Sequence, residues 1–155
     1  MTIRTESRIT IAGPVTEVWA YVCDVGRWPE WAPTVRECRV RGGAPLAPGA
    51  RVEQRAKGIF GSSWARSQDV TAVEAPRYVA FAWPMGTSAA RWGLQLEPMG
   101  DGQTEAMMWI EVDLEGPMRV IPDRVLQGRI QRVSDREMAA IKAAVESATP
   151  AGSDS

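Results

Sequence analysis

The 155-residue chain contains no histidine. Imidazole is the usual acid–base group at neutral pH, the base of Ser-His-Asp triads and a frequent metal ligand. Its absence removes all three chemistries. Cysteine is almost as scarce, with only Cys23 and Cys38. Two cysteines without CxxC spacing make neither a zinc site nor a disulfide framework, so both are expected as reduced thiols. No apolar run approaches the ~20 residues of a bilayer span. The stretch Met1-Thr2-Ile3-Arg4-Thr5-Glu6 has no charged-then-apolar signal pattern. A formal net charge of -1 gives no electrostatic case for nucleic acid or an anionic membrane as partner. Neither GxGxxG nor GxxxxGK[ST] occurs. The expectations are therefore a cytoplasmic protein with no metal, no cofactor, no nucleic-acid partner and no transmembrane segment.

Tryptophan, by contrast, is abundant, with seven in the chain. Two of them, Trp28 and Trp31, fall in the most informative segment. Ile3, Thr5, Ser7, Ile9 and Ile11 alternate with Arg4, Glu6, Arg8 and Thr10, which predicts a strand. Gly13-Pro14 opens a helix, with Pro14 at its first position. Val15, Val18, Trp19 and Val22 recur at helical spacing and give it one apolar face. Asp24 and Gly26 end it, and Trp28-Pro29-Glu30-Trp31 forms a further helical turn that Pro33 closes.

Strand grammar follows. The pattern predicts strands over Val35–Arg41, Arg51–Lys57, Trp64–Glu74, Tyr78–Trp83, Ala89–Glu97 and Thr104–Leu114. A glycine and serine loop fills Gly58–Ser63, and Pro98-Met99-Gly100-Asp101-Gly102 signals a hairpin. Gly116-Pro117 opens a final helix running to about Ser147, with Pro122 able to kink or delay it. Its apolar stripe is read as Leu126, Ile130, Val133, Met138, Ile141 and Val145, with Arg129, Arg132 and Arg136 on a polar side. Residues 1–148 read as one domain and 149–155 as a flexible tail. Strand, two short helices, six strands and a long helix make an α+β fold.

This ordered set resembles the SRPBCC superfamily and its START-like helix-grip fold. The chain looks most like the bacterial polyketide cyclase/dehydrase and lipid-transport family within it. The residues that carry the likeness are Pro14-Val15-Thr16-Glu17-Val18-Trp19 and Asp24-Val25-Gly26-Arg27-Trp28-Pro29-Glu30-Trp31. To these add Pro48-Gly49, Val73-Glu74-Ala75-Pro76-Arg77 followed by Phe81 and Trp83, Gly102-Gln103-Thr104, and Glu115-Gly116-Pro117. The resemblance spans roughly residues 3 to 147. It implies a curved antiparallel sheet of about seven strands wrapped around the long helix, with a cavity between them. It also implies a hydrophobic small-molecule partner, polyketide-like or lipid-like. Because members of a fold differ in activity, function stays open at this point.

The candidate ligand-binding residues are Trp28, Trp31, Trp64, Phe81, Trp83, Trp92, Met108, Ile110, Leu126 and Ile130. Trp28 and Trp31 either line a pocket or seal the core, since aromatics do both. Arg66, Arg91, Glu111 and Tyr78 are the candidate catalytic groups. An inward arginine could hold a carboxylate or enolate oxygen; an outward one is merely solvated. An inward Glu111 would have a raised pKa, although its alternation with Ile110 and Val112 places it toward solvent. Met107 and Trp109 make the outer side of the last strand apolar and are the candidate homodimer contact. A ~300 Å³ pocket left dry and empty would cost on the order of 7 kcal/mol, so a real cavity holds ligand or water, is small or sits in a robust fold, and the tryptophans could equally fill it. Three readings follow: a small-molecule binder, a cyclase/dehydratase working without histidine, and a protein-interaction module with a vestigial cavity.

Overall fold

The structure, a computed structural model, describes residues 2–57, 61–85, 88–100, 102–116 and 120–148. Strand β1 (Thr2–Ile11) leads into helix α1 (Val15–Val22) and a 3₁₀ helix (Val25–Glu30). Six strands follow: β2 (Val35–Val40), β3 (Arg51–Lys57), β4 (Ser63–Glu74), β5 (Tyr78–Met85), β6 (Ser88–Pro98) and β7 (Thr104–Asp113). Helix α2 (Asp123–Ala148) completes the chain. All seven strands form one antiparallel sheet in the order β1-β7-β6-β5-β4-β3-β2. This is the α+β helix-grip fold, with α2 packed on the inner face.

Topology explains the position of the tryptophans. β2 to β7 pair with their sequence neighbours, whereas β1 pairs with β7 at one edge and β2 lies at the other. The connection from β1 to β2 must therefore cross from one edge of the sheet to the other. α1 and the 3₁₀ helix make that crossing and carry Trp28 and Trp31 onto the inner face. Tyr21 and Arg27 fix the corner between them. The Tyr21 hydroxyl donates to Glu30 at 3.1 Å, and Arg27 reaches both oxygens of Glu30 at 3.0 and 3.1 Å. Burial and the Glu30 carboxylate together push the Tyr21 phenol up to about 12, so it stays protonated.

The strand limits agree with the alternation pattern within a residue or two, but both helices start later than expected. Pro14 stands just outside α1, where its carbonyl accepts from the amides of Glu17 and Val18. α2 begins at Asp123, and Pro122 plays the same part for Val125 and Leu126. A proline has no amide to donate, so it suits the position before the first turn. The expected opening at Pro117 and the tail 149–155 lie outside the described residues, as does the first half of the Gly58–Ser63 loop. Within α2 the buried stripe runs through Ser134, Met138, Ile141 and Val145. Val133, read as part of it, is 42 % exposed.

The core divides in two. A large cluster gathers α1, the 3₁₀ helix, the sheet and Met138, Ile141 and Val145 of α2. A smaller one holds Ile3, Ala90, Val112 and Leu114, with Leu126, Ile130, Trp83 and Ile110 against it. On β1 and α2 the residues between these clusters are polar. Thr5, Ser7 and Ser134 are all buried, and Ser7 donates to Asp135 at 2.6 Å.

On the outer face Trp109 covers Gly93. A Cβ built on Gly93 would lie 2.6 Å from Trp109 Nε1. Arg4 closes over the same ring, 5.2 Å from its centroid. Trp109 is thus partly covered by its own chain, which weakens the candidate homodimer contact. Gly93→Ala is expected to cost about 1–3 kcal/mol through this overlap. Chemical denaturation would read it, and an unchanged midpoint would mean that the indole moves aside freely.

Candidate functional site

Four aromatic rings meet where the 3₁₀ helix crosses the sheet. Trp28 lies 5.7 Å from Trp31, 5.1 Å from Phe81 and 5.5 Å from Trp92 between ring centroids. Phe81 stacks on Trp92 at 4.5 Å. The edge-to-face and offset arrangements are those the ring quadrupoles favour. The Trp28 indole donates to the Val22 carbonyl at 2.8 Å, which fixes it at the end of α1. The Trp31 N–H is buried and has no acceptor among the described residues.

Beside this cluster lies an inner cavity of about 80 Å³. Trp28, Trp31, Ala32, Thr34 and Val35 line one side, and Trp83, Trp92, Met108 and Ile110 another. Gln54, Gln68, Arg66 and Glu137 supply its polar wall. Left dry, such a volume would cost only on the order of 2 kcal/mol, far less than a full ligand pocket. Four tryptophans, Trp28, Trp31, Trp83 and Trp92, line what remains.

The polar wall is partly wired. Arg66 Nε donates to Gln54 Oε1 at 2.6 Å, and Gln68 Nε2 donates to the same oxygen at 3.1 Å. The Trp92 indole donates to Gln68 Oε1 at 2.6 Å. These bonds follow from the alternation on β3 and β4. Val52, Gln54 and Ala56 face inward on β3, and the β3–β4 register sets Gln54 opposite Arg66. Arg66 also stacks on tryptophan, 5.5 Å from the Trp64 ring and 5.9 Å from the Trp83 ring.

Glu137 comes from α2, one residue before the buried Met138. It makes no hydrogen bond among the described residues, and Arg66 is the one charge that acts on it. Burial pushes its carboxyl up to about 7, with Arg66 opposing the rise. Burial likewise lowers the Arg66 pKa, with Glu137 opposing the drop. A carboxyl that titrates near neutrality beside a guanidinium can accept or donate a proton at physiological pH. Cys38 lies close to this pair, and burial raises its thiol to about 11; Cys23 rises to about 12 for the same reason. Both cysteines are free, and neither is an activated nucleophile. Among the described residues no group of histidine, cysteine, aspartate or glutamate is placed to hold a metal.

Trp28, Trp31, Trp83, Trp92, Met108, Ile110 and Arg66 all line the cavity. Phe81 is not on its surface and lies buried against Trp28 and Trp92. Trp64 faces the same side as Arg66 but is 51 % exposed, beyond the guanidinium. Leu126 and Ile130 belong to the smaller cluster instead. Three candidate catalytic groups lie elsewhere. Arg91 points outward and pairs with Glu111 at 3.9 Å and Asp113 at 3.7 Å. Glu111 is on that outer face, where Arg4 also reaches it. Tyr78 lines an outer depression beside the Ala75-Pro76-Arg77 turn. Strand parity decides each case, because adjacent residues face opposite sides.

Sequence reading missed Gln54, Gln68 and Glu137. The available signal was a polar residue at an inward position: Gln54 between Val52 and Ala56, and Glu137 beside the stripe of Ser134, Met138 and Ile141. A larger open depression of about 710 Å³ lies along β2, β3 and β4, but no aromatic residue lines it. Its charges are partly spent on each other, with Arg39 and Arg41 both on Glu53 at 3.3 and 3.1 Å.

Among the described residues no helix is long and apolar enough to cross a membrane. No curated protein matches the chain in sequence. Many solved structures share its fold. A START superfamily protein from Mycobacterium smegmatis aligns over 94 % of this chain and 99 % of its own, with TM-score 0.74 and 16 % identity. The Zhui aromatase/cyclase from Streptomyces sp. R1128 aligns over 98 % of each chain, with TM-score 0.76 and 13 % identity. The di-domain aromatase/cyclase StfQ of the steffimycin biosynthetic pathway aligns over 95 % of this chain and 52 % of its own, with TM-score 0.74 and 14 % identity. At these identities the likeness shows the fold alone. The sequence profile described as polyketide cyclase / dehydrase and lipid transport matches residues 2–146, and the chain belongs to that family.

Proposed function

We propose that the protein binds a small aromatic or otherwise hydrophobic molecule bearing polar oxygen, in the cavity between the 3₁₀ helix, the sheet and α2. One observation carries this reading: an aromatic wall and the Arg66–Glu137–Gln54–Gln68 wall converge on one half-open cavity. Apolar walls supply affinity, and a few placed polar groups supply orientation. Free, raised-pKa thiols fit a reducing cytoplasmic setting. A ligand of polyketide or lipid size exceeds the present volume. It would enter by displacing the partly exposed Trp83 from the inner face, with Arg66 kept as part of the polar wall.

Titration with apolar aromatic compounds, read by tryptophan fluorescence, tests the proposal, together with native mass spectrometry of the purified protein. Saturable quenching that weakens in Trp31→Ala is the expected result. No quenching across the panel and no co-purifying mass would overturn it.

A cyclase or dehydratase activity is the second reading, and the convergence of polar groups favours it. Arg66 could stabilise an enolate oxygen while Glu137 moves the proton, with the aromatic wall holding the chain in a reactive shape. The interaction-module reading is favoured by a Trp-filled interior together with an exposed apolar patch around Trp109, and the small cavity meets the first condition. That ring instead packs on Gly93 beneath Arg4.

A further inference from the structure

We propose that the cavity takes up a small aromatic carboxylate together with one proton, the carboxylate pairing with Arg66 and the proton residing on Glu137. This deepens the ligand-binding reading and rests on it.

The first support is the imbalance of hydrogen-bonding groups. The Gln54 carbonyl already accepts two hydrogen bonds and the Gln68 carbonyl accepts one. On the donor side Arg66 uses only Nε, which leaves the two Nη groups, and the Trp31 N–H has no acceptor. The wall therefore offers a guanidinium fork to an incoming acceptor. A carboxylate matches the fork in a bidentate pair.

The second support is charge. Arg66 and Glu137 line the same cavity, yet they share no ion-pair contact. With both ionised, the cavity is neutral. An added carboxylate would put two negative charges against one positive in a poorly solvated space. Protonating Glu137 restores neutrality. Among the described residues nothing else lining the cavity can supply that compensation. Gln54, on β3, and Gln68, on β4, are neutral, and Cys38 of β2 stays protonated. The 3₁₀ helix presents Trp28 and the residue after it is Trp31, and β5, β6 and β7 present Trp83, Trp92, Met108 and Ile110. On α2 itself Arg129, Arg132, Asp135 and Arg136 are exposed to solvent. The Glu137 carboxyl, held near 7, places the change in the physiological range.

Size sets the third condition. An apolar cavity of about 150 Å³ holds benzene. The present one is about 80 Å³ and is bounded in part by the partly exposed Arg66 and Trp83. A single ring fits with a modest outward shift of those two side chains.

Benzoate is the probe, with benzamide and toluene as uncharged counterparts. Isothermal titration from about pH 6 to pH 9, in buffers of different ionisation enthalpy, reads both affinity and proton uptake. Benzoate itself remains ionised throughout. The expected result is a dissociation constant that rises about tenfold per pH unit above pH 7, with uptake approaching one proton. Glu137→Gln should bind benzoate with no pH dependence. Arg66→Gln should lose benzoate selectively over toluene, and Arg66→Lys serves if that variant misfolds. A flat pH profile in the unmodified protein, or a slope that survives in Glu137→Gln, overturns the proposal. Binding of toluene or benzamide without benzoate overturns it while leaving the ligand-binding reading intact. No binding by any of the three at any pH counts against both.

Discussion

Trp28→Ala is expected to remove about 3–5 kcal/mol of unfolding free energy, a large share of the ~5–15 kcal/mol typical of a domain. Three features make this position costly. The side chain is 1 % exposed, so the whole indole leaves a void. It is the hub of the cluster, touching Trp31, Phe81 and Trp92, and those rings cannot all collapse into one gap. Its N–H is also the donor to the Val22 carbonyl at the end of α1. Trp28→Phe separates these contributions. It keeps most of the ring contact and loses the hydrogen bond, at an expected cost of about 1–3 kcal/mol. Urea denaturation of both variants checks the prediction. Equal losses would mean that the hydrogen bond, rather than the packing, holds the 3₁₀ helix in place.

Glu137→Gln is expected to stabilise the protein at alkaline pH by roughly 2–3 kcal/mol and to change it little near pH 4. The Glu137 carboxyl has a folded-state pKa of about 7 against an ordinary 4.5, because burial disfavours its charge. Between those values the folded state holds a proton that the unfolded chain has released. Stability contributed by this group is therefore fully present below about pH 4.5. It falls as pH rises to about 7 and stays low above that. Glutamine mimics the protonated form at every pH and escapes the loss. Denaturation of both proteins at about pH 5 and pH 8 reads the effect. A difference between variant and parent that stays constant across that range would show that Glu137 is solvated in the folded protein.

These two residues were unequally legible in the sequence. Trp28 was visible from its place after the first helix and from the family likeness, although its double role was not. It both seals the core and lines the cavity. Glu137 was invisible because α2 was phased on its aliphatic residues. Aliphatic spacing places Val133 inward, whereas in the structure it is 42 % exposed, Ser134 is buried and Glu137 lines the cavity with Arg66. Arg66 and Arg91 illustrate the same limit on strands. Both sit in alternating segments, and β4 turns one inward while β6 turns the other outward. Register shifts on β2, between Val35 and Glu37, and on β4, between Val70 and Ala72, add an offset that composition does not reveal.

The sequence alone determined the order of elements, the limits of most strands and the absence of histidine chemistry. These depend on local periodicity, on proline and glycine at element ends, and on residue counts. Only the tertiary structure decided which polar side chains meet. Gln54, Arg66, Gln68 and Glu137 lie on three elements whose approach is set by pairing register and helix rotation. A one-residue change in either would turn those groups to solvent. The same packing decided that only about 80 Å³ stays open beside the tryptophans, because their rings close on one another only once the 3₁₀ helix is laid across the sheet.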